Sequence, residues 1–145
     1  MQKLNEFKMT IDSKSVNESF ARSTVAAFVS QLDPTLEEIS DIKMAVSEAV
    51  TNCIVHAYPQ SVGKIYITAV ILENNTAKIS VRDKGCGIID IKQAMEPLFT
   101  TLGGERAGLG FAVMESFTDK ITVRSKPEKG TVVTMYKRIN GRAVL

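Results

Sequence analysis

Residues 48–58, Glu-Ala-Val-Thr-Asn-Cys-Ile-Val-His-Ala-Tyr, decide how the rest of this chain is read. The apolar residues here continue a helical spacing, so Glu48 and Asn52, four apart, share one helical face. A carboxylate and an amide so placed can have separate roles, the one activating a hydroxyl while the other holds a metal on a phosphate. Further along come Asp83-Lys84-Gly85-Cys86-Gly87 and Gly108-Leu109-Gly110, glycine loops that let backbone approach a ligand closely. This order of parts implies a nucleotide site.

Working outward, Pro34 is placed to open the helix that carries the pair, with a buried stripe of Ile39, Ile42, Val46, Ala49, Val50, Cys53 and Ile54. Glu48 and Asn52 fall at the edge of that stripe. Upstream, Phe7, Met9 and Ile11 alternate with polar residues, as in a strand with one buried face. Ser15-Val16-Asn17-Glu18 reads as a capping box for a helix to about Gln31, with Val16, Phe20, Ala27, Phe28 and Leu32 as its stripe and Asp33-Pro34 as its stop. Downstream, Lys64 to Leu72 and Ala77 to Asp83 flank the turn Glu73-Asn74-Asn75-Thr76 as a hairpin. Ile91 to Met95 suggests a short helix, and Glu96 to Ala107, with few apolar anchors, suggests a mobile segment. Gly110 to Phe117 is helical in spacing. Ile121 to Arg124 and Thr131 to Lys137 close the chain as a hairpin across Pro127-Glu128-Lys129-Gly130.

The 145 residues fit one domain over 1–145, enough chain to bury about 70% of its unfolded surface without disulfides. With 44% hydrophobic and 23% charged residues it has the composition of an ordinary globular protein, with no apolar run long enough to span a bilayer and no signal-peptide core at its start. A cytoplasmic protein with no membrane partner is expected. The net charge of +2 is spread along the chain without a basic block, which argues against direct nucleic-acid binding. Cys53 and Cys86 lack the spacing of a zinc site and read as reduced thiols.

Taken singly, each candidate has an ordinary reading beside its functional one. Asn52 is a neutral oxygen ligand suited to Mg²⁺ or a polar residue at a helix edge. Asp83 ends a strand where a carboxylate can accept a hydrogen bond from an adenine amino group, or it is a strand-to-turn Asp-x-Gly. Gly108-Leu109-Gly110 precedes a helical pattern and can offer N–H groups to phosphate, although neither a Rossmann nor a Walker context surrounds it. Arg106 either approaches a terminal phosphate or is a solvated loop arginine. His56, one turn beyond Asn52, either faces the phosphates or caps the helix end.

As an ordered set these motifs resemble the GHKL ATPase/kinase superfamily. Glu48-x-x-x-Asn52 matches its N box, Asp83-x-Gly85-x-Gly87 the G1 box, and Pro97-Leu98-Phe99-Thr100-Thr101 the F box; Gly108-Leu109-Gly110 matches the G2 box, and Gly130-Thr131 the final Gly-Thr. The stretches ESFARSTVAAFVSQLDPT and VSEAVTNCIVHAY, in a chain without a phosphoacceptor-histidine or transducer domain, resemble the bacterial anti-sigma factors with serine-kinase activity, the sporulation anti-sigma F group most closely.

That resemblance implies an α/β (α+β) two-layer sandwich of the GHKL (Bergerat) type, with helices packed on one face of a mixed β-sheet. It implies ATP or ADP with Mg²⁺: Asn52 as the metal ligand; Asp83 on adenine, with Gly85 and Gly87 as the adjacent loop contacts; Thr100, Thr101, Gly108 and Gly110 on the phosphates; Leu109 and Thr131 among the nucleotide-binding residues; and Glu48 as the general base. A base is chemically needed because a serine hydroxyl is a weak nucleophile. Leu102 stands where many relatives carry a lysine after the Thr-Thr pair, and Arg106 offers a compensating cation. The implied partners are an RNA polymerase sigma factor and an anti-anti-sigma factor phosphorylated on serine, with a homodimer as the assembly and Arg22 on a partner surface. Alternatives are a stress-response anti-sigma kinase, a simple ATPase, and a nucleotide-gated binding module.

Overall fold

The computed structural model describes residues 1–88, 95 and 110–141. Strand β1 (Lys3–Asp12) turns Phe7, Met9 and Ile11 toward the core, as the alternation requires. Helix α1 (Val16–Val29) follows, then a short 3₁₀ turn at Ser30–Leu32.

Two expectations for α1 are corrected. Ser15 makes no side-chain cap, because its backbone is already helical, and Glu18 turns instead to Arg22, one helical turn on, at 2.6 Å. The buried stripe is Ala21, Val25, Ala26 and Val29, while Val16 and Phe20 are exposed. Alanines and valines take the core side, where α1 packs against α2. Phe28 packs its ring on Phe7 of β1, 4.8 Å between centroids.

Helix α2 (Leu36–Asn52) starts later than the proline suggests, with Thr35 as a true N-cap. Thr35 Oγ1 accepts the Glu38 N–H at 3.1 Å, and Glu38 Oε1 accepts the Thr35 N–H at 2.9 Å. Glu38 also takes the N–H groups of Asn140 and Gly141, tying the chain beyond the last strand to the start of α2. Ile42, Val46, Ala49 and Val50 are buried as the stripe predicts, joined by Ala45. Each large aliphatic so buried contributes about 1.5–3 kcal/mol, which fixes the rotation of α2 and therefore the direction of Glu48 and Asn52.

The expected hairpin forms as β2 (Lys64–Leu72) and β3 (Thr76–Asp83), with Asn75 at φ 60° in the turn. Helix α3 (Phe111–Phe117) leads to β4 (Lys120–Lys126) and β5 (Gly130–Arg138). The five strands lie in the order β1-β2-β3-β5-β4 with helices on one face, the two-layer arrangement expected. Every pairing among the described residues is antiparallel, where the resemblance implies a mixed sheet. Two helices between β1 and β2 bring the chain back to the end where β1 finished, so β2 must run the other way. β3 and β4 do point alike, but β5 lies between them.

The core is one cluster in which α1 and α2 meet Ile65, Ile67, Ile79, Val81, Val133 and Met135 of the sheet, with Phe111 and Met114 of α3 beside them. Lys137 of β5 reaches Asp41 of α2 at 3.0 Å, a second tie between sheet and helix. No helix among the described residues is long and apolar enough to cross a membrane. The expected short helix at Ile91 to Met95 (apart from Met95 itself) and the segment Glu96 to Ala107 lie outside the described residues.

Candidate nucleotide site

Helix α2 does not end cleanly at Asn52. The chain widens into a π turn, Cys53–Ala57, closed by the Tyr58 N–H on the Cys53 carbonyl at 3.0 Å. Such turns recur at functional sites because the extra residue re-aims the side chains that follow. Here it sets Asn52 at the last position of α2 and His56 in the wider turn, with Asn52 Oδ1 and His56 Nε2 both shielded from solvent.

Glu48, half-buried, projects toward the start of α3. Gly110, the N-cap residue of α3, has φ +71°, and a Cβ there would run into the Glu48 carboxylate. Two constraints meet at one glycine: left-handed backbone and contact with the carboxylate. Glu48 of the expected N box and the last residue of the G2 box are thereby adjacent, although they are 62 positions apart in the sequence.

Asp83 closes the site from the sheet. It ends β3 and is 6% exposed. Its Oδ1 accepts two backbone N–H groups, from Gly85 at 2.9 Å and Thr131 at 3.2 Å. Its Oδ2 receives the Cys53 thiol at 3.6 Å. Burial pushes the Asp83 carboxyl above the usual carboxylate range, and the Gly85 N–H, the Cys53 thiol and the Thr131 N–H oppose that rise without cancelling it. Burial first, then the Asp83 charge, drives the Cys53 thiol well above its ordinary pKa, so it remains a donor. One carboxylate oxygen is thus committed to the backbone, and the other is held by a weak donor and retains capacity to accept.

The glycine loop after Asp83 is clamped from two sides. Gly85 lies against the Ala57 carbonyl of the π turn, where a Cβ would collide, and the Cys86 N–H donates to that same oxygen at 3.2 Å. Gly85 is therefore required by close approach, whereas Gly87, at φ +74°, sits against the Lys126 carbonyl of β4. The Glu128 N–H donates to the Cys86 carbonyl at 2.6 Å, and the Cys86 thiol donates to the His56 carbonyl at 3.0 Å. Both cysteines are free, Cys53 buried and Cys86 exposed, in line with reduced thiols.

Three residues that the sequence does not single out hold this frame. Tyr58 donates to the Lys64 carbonyl at 2.8 Å and accepts the Lys84 N–H at 2.7 Å, with its ring over Gly63, so one phenol joins the π turn to β2 and to the loop. Ser125 Oγ donates to the Gly130 carbonyl at 2.9 Å, accepts the Ile88 N–H at 2.8 Å, and meets the Thr131 hydroxyl at 2.8 Å. Cys53, the third, belongs to the apolar stripe of the sequence and to the polar frame of the site. The signal of all three is faint, since a tyrosine and a serine are ordinary at strand and helix ends.

Glu48, Asn52 and His56 thus stand toward the end of α2 and in its π turn, with Gly110 against Glu48, while Asp83, Gly85 and Thr131 meet between the loop after β3 and the start of β5, and Gly87 lies against β4. Thr100, Thr101, Leu102, Arg106, Gly108 and Leu109 lie outside the described residues. Arg22 stands apart, on α1 and paired with Glu18. Among the described residues no cluster of three His, Cys, Asp or Glu side chains offers a metal cage. Asn52 fits the other way of holding Mg²⁺, in which one neutral oxygen joins ligands that phosphates supply.

The histidine kinase-like ATPase domain family matches residues 12–137. The anti-sigma F factor of Caldanaerobacter subterraneus subsp. tengcongensis is 58% identical over 96% of this chain and 97% of its own length. That of Clostridium acetobutylicum is 55% identical over 92% and 94%. Among solved structures, the RsbU and RsbW domains of a Mycobacterium tuberculosis protein align at a TM-score of 0.70 and 20% identity, covering 98% of this chain and 35% of that one, a likeness of fold. The chain belongs to the histidine kinase-like ATPase domain family, in the branch formed by the anti-sigma F factors.

Proposed function

We propose that this protein is an anti-sigma factor and an ATP-dependent serine kinase: it binds and inhibits a sigma factor of RNA polymerase and phosphorylates an anti-anti-sigma protein on serine. The observation that carries the kinase half is the Glu48 carboxylate lying against Gly110, one helical turn before Asn52. A carboxylate at the end of the G2 box, where α3 begins, would take the proton of an incoming hydroxyl as it attacks the terminal phosphate. Asn52 would hold Mg²⁺, which would neutralise phosphate charge, and Asp83 would accept from the adenine amino group. The anti-sigma half rests on the likeness to the anti-sigma F factors. In this reading the protein acts in the cytoplasm as a homodimer, and Arg22 lies on the surface that meets a partner.

The test is incubation with Mg-ATP and candidate sigma and anti-anti-sigma proteins, followed by mass spectrometry and co-purification. Phosphoserine on the anti-anti-sigma protein and retention of the sigma factor are the expected results. Phosphate release with no modified partner would replace the kinase with a simple ATPase. Neither product would leave a nucleotide-gated binding module.

A further inference from the structure

The charges that look scattered in the sequence are sorted by the pleat of the sheet. On β3 to β5, Ile79, Val81, Val133 and Met135 point toward the helices, so Lys78, Arg82, Lys120, Arg124 and Arg138 point to the opposite, helix-free face. No aspartate or glutamate occupies an outward position on β2, β3, β4 or β5. Lys78, Arg82, Lys120 and Arg124 make no ion pair within 4.0 Å among the described residues.

The register arranges four of these cations as a rectangle. Lys78 and Lys120 both sit opposite Tyr136, and Arg82 and Arg124 both sit opposite Val132, so a β3 row and a β4 row flank β5. Two strand spacings separate the rows by about 9.5 Å, and four residues separate the members of each row by about 13 Å. The floor between them is Val132 and Thr134. A groove of about 650 Å³ extends it past the end of the sheet, where the cations Arg82, Lys84, Arg124, Lys126 and Lys129 outnumber the carboxylates Asp83 and Glu128.

We infer that the helix-free face of the sheet is a docking surface for an acidic α-helix of a protein partner, laid along β5 between the two rows. A helix is about 10 Å across, and carboxylates eight residues apart on one side of it lie about 12 Å apart, close to the spacing within each row. The aromatic residues argue against nucleic acid: Lys78 and Lys120 lie over the Tyr136 ring at 5.8 and 5.5 Å, and Arg82 and Lys84 over the Tyr66 ring at 4.9 and 5.1 Å. Those ring faces are covered, whereas a base-stacking platform needs them open. A second copy fits no better, since a two-fold contact would set the same cations against themselves. The four cations lie on the face of the sheet opposite the helices, and only the far end of the groove reaches Asp83 and Thr131 of the candidate nucleotide site.

The experiment uses a labelled helical peptide with glutamate at every fourth position and the Arg82→Ala/Arg124→Ala double variant, read by fluorescence anisotropy at low salt. The peptide should bind the wild-type protein, weaken steeply with added salt, and lose about tenfold in affinity for the variant. ADP binding, measured in parallel, should be equal in the two proteins and reports an intact fold. Absence of peptide binding to the wild type, or equal peptide affinity in a variant that still binds ADP, overturns the assignment. So does tighter binding of a short single-stranded DNA or of phosphatidylserine vesicles than of the peptide at matched charge.

Discussion

Replacing Asp83 by asparagine should reverse the hydrogen-bonding sense of the nucleotide site without unfolding it. Asp83 Oδ1 must keep accepting from the Gly85 and Thr131 N–H groups, so in the Asp83→Asn variant the amide oxygen would take that position and the NH₂ group would fall where Oδ2 now lies. A donor then faces the adenine amino group, itself a donor, while guanine presents an oxygen at the same place. The lost bond is charge-assisted and worth about 1.5–3 kcal/mol, a decrease of about 10- to 150-fold in ADP affinity. GDP should be affected far less, so the ratio of the two affinities moves toward guanine. Because the carboxylate's pKa is raised by burial, ionised Asp83 costs stability above that pKa, and the substitution should leave the midpoint of thermal unfolding within a few degrees of wild type. Titration calorimetry with ADP and GDP, beside a melting curve, measures all three quantities. Unchanged ADP affinity, or an equal fall for GDP in a folded variant, would refute the placement of adenine on Asp83.

Glu48→Ala should keep Mg-ATP affinity while losing most phosphotransfer, about 10²-fold or more, whereas Asn52→Ala should weaken Mg-ATP binding itself; single-turnover transfer and nucleotide titration separate the two, and undiminished transfer without Glu48 would end its assignment as base. Gly110→Ala places a Cβ at φ +71° against the Glu48 carboxylate, for about 1–2 kcal/mol of lost stability and a larger loss of transfer, checked by denaturant unfolding and a kinase assay. Burial pushes Glu38 up, but backbone N–H groups of Thr35, Asn140 and Gly141 and the Thr35 side chain bring it below the usual glutamate value. Its stabilisation is therefore present above the unfolded pKa and lost as pH falls through the folded one. Glu38→Gln should cost about 1 kcal/mol at neutral pH and flatten the acid side of the stability profile, which melting curves across the acidic range will show.

The strongest periodicities transferred well from sequence to structure. The α2 stripe and the β2–β3 and β4–β5 hairpins appear where alternation and turn residues put them, because each is decided by local spacing and by a core on one side. The α1 stripe failed for the opposite reason: Val16 and Phe20 are apolar, yet tight packing against α2 selects Ala21, Val25 and Val29. The capping box expected at Ser15 belongs to Thr35 and Glu38, a pattern equally visible in the sequence but overshadowed by Pro34. In the proposed site, residue types and motif spacing name the candidates, whereas they do not name the residues that hold the frame around them. Cys53, Tyr58 and Ser125 act through contacts across 30, 26 and 37 residues of sequence to Asp83, Lys84 and Ile88, and no short motif encodes such distances.

Strand order has a consequence for how the site comes into being. β5 comes after the other four described strands in the chain, yet it fills the interior of the sheet between β3 and β4. Until it arrives, β3 is a bare edge, and Asp83 lacks the Thr131 N–H that orients it. Lys137 cannot yet reach Asp41, nor can the Asn140 and Gly141 N–H groups reach Glu38. During synthesis a chain that has emerged only as far as β4 therefore carries Glu48, Asn52 and Asp83 without a working arrangement of them. On the proposed reading of the site, competence for nucleotide would arrive with β5, in the same step that closes the sheet.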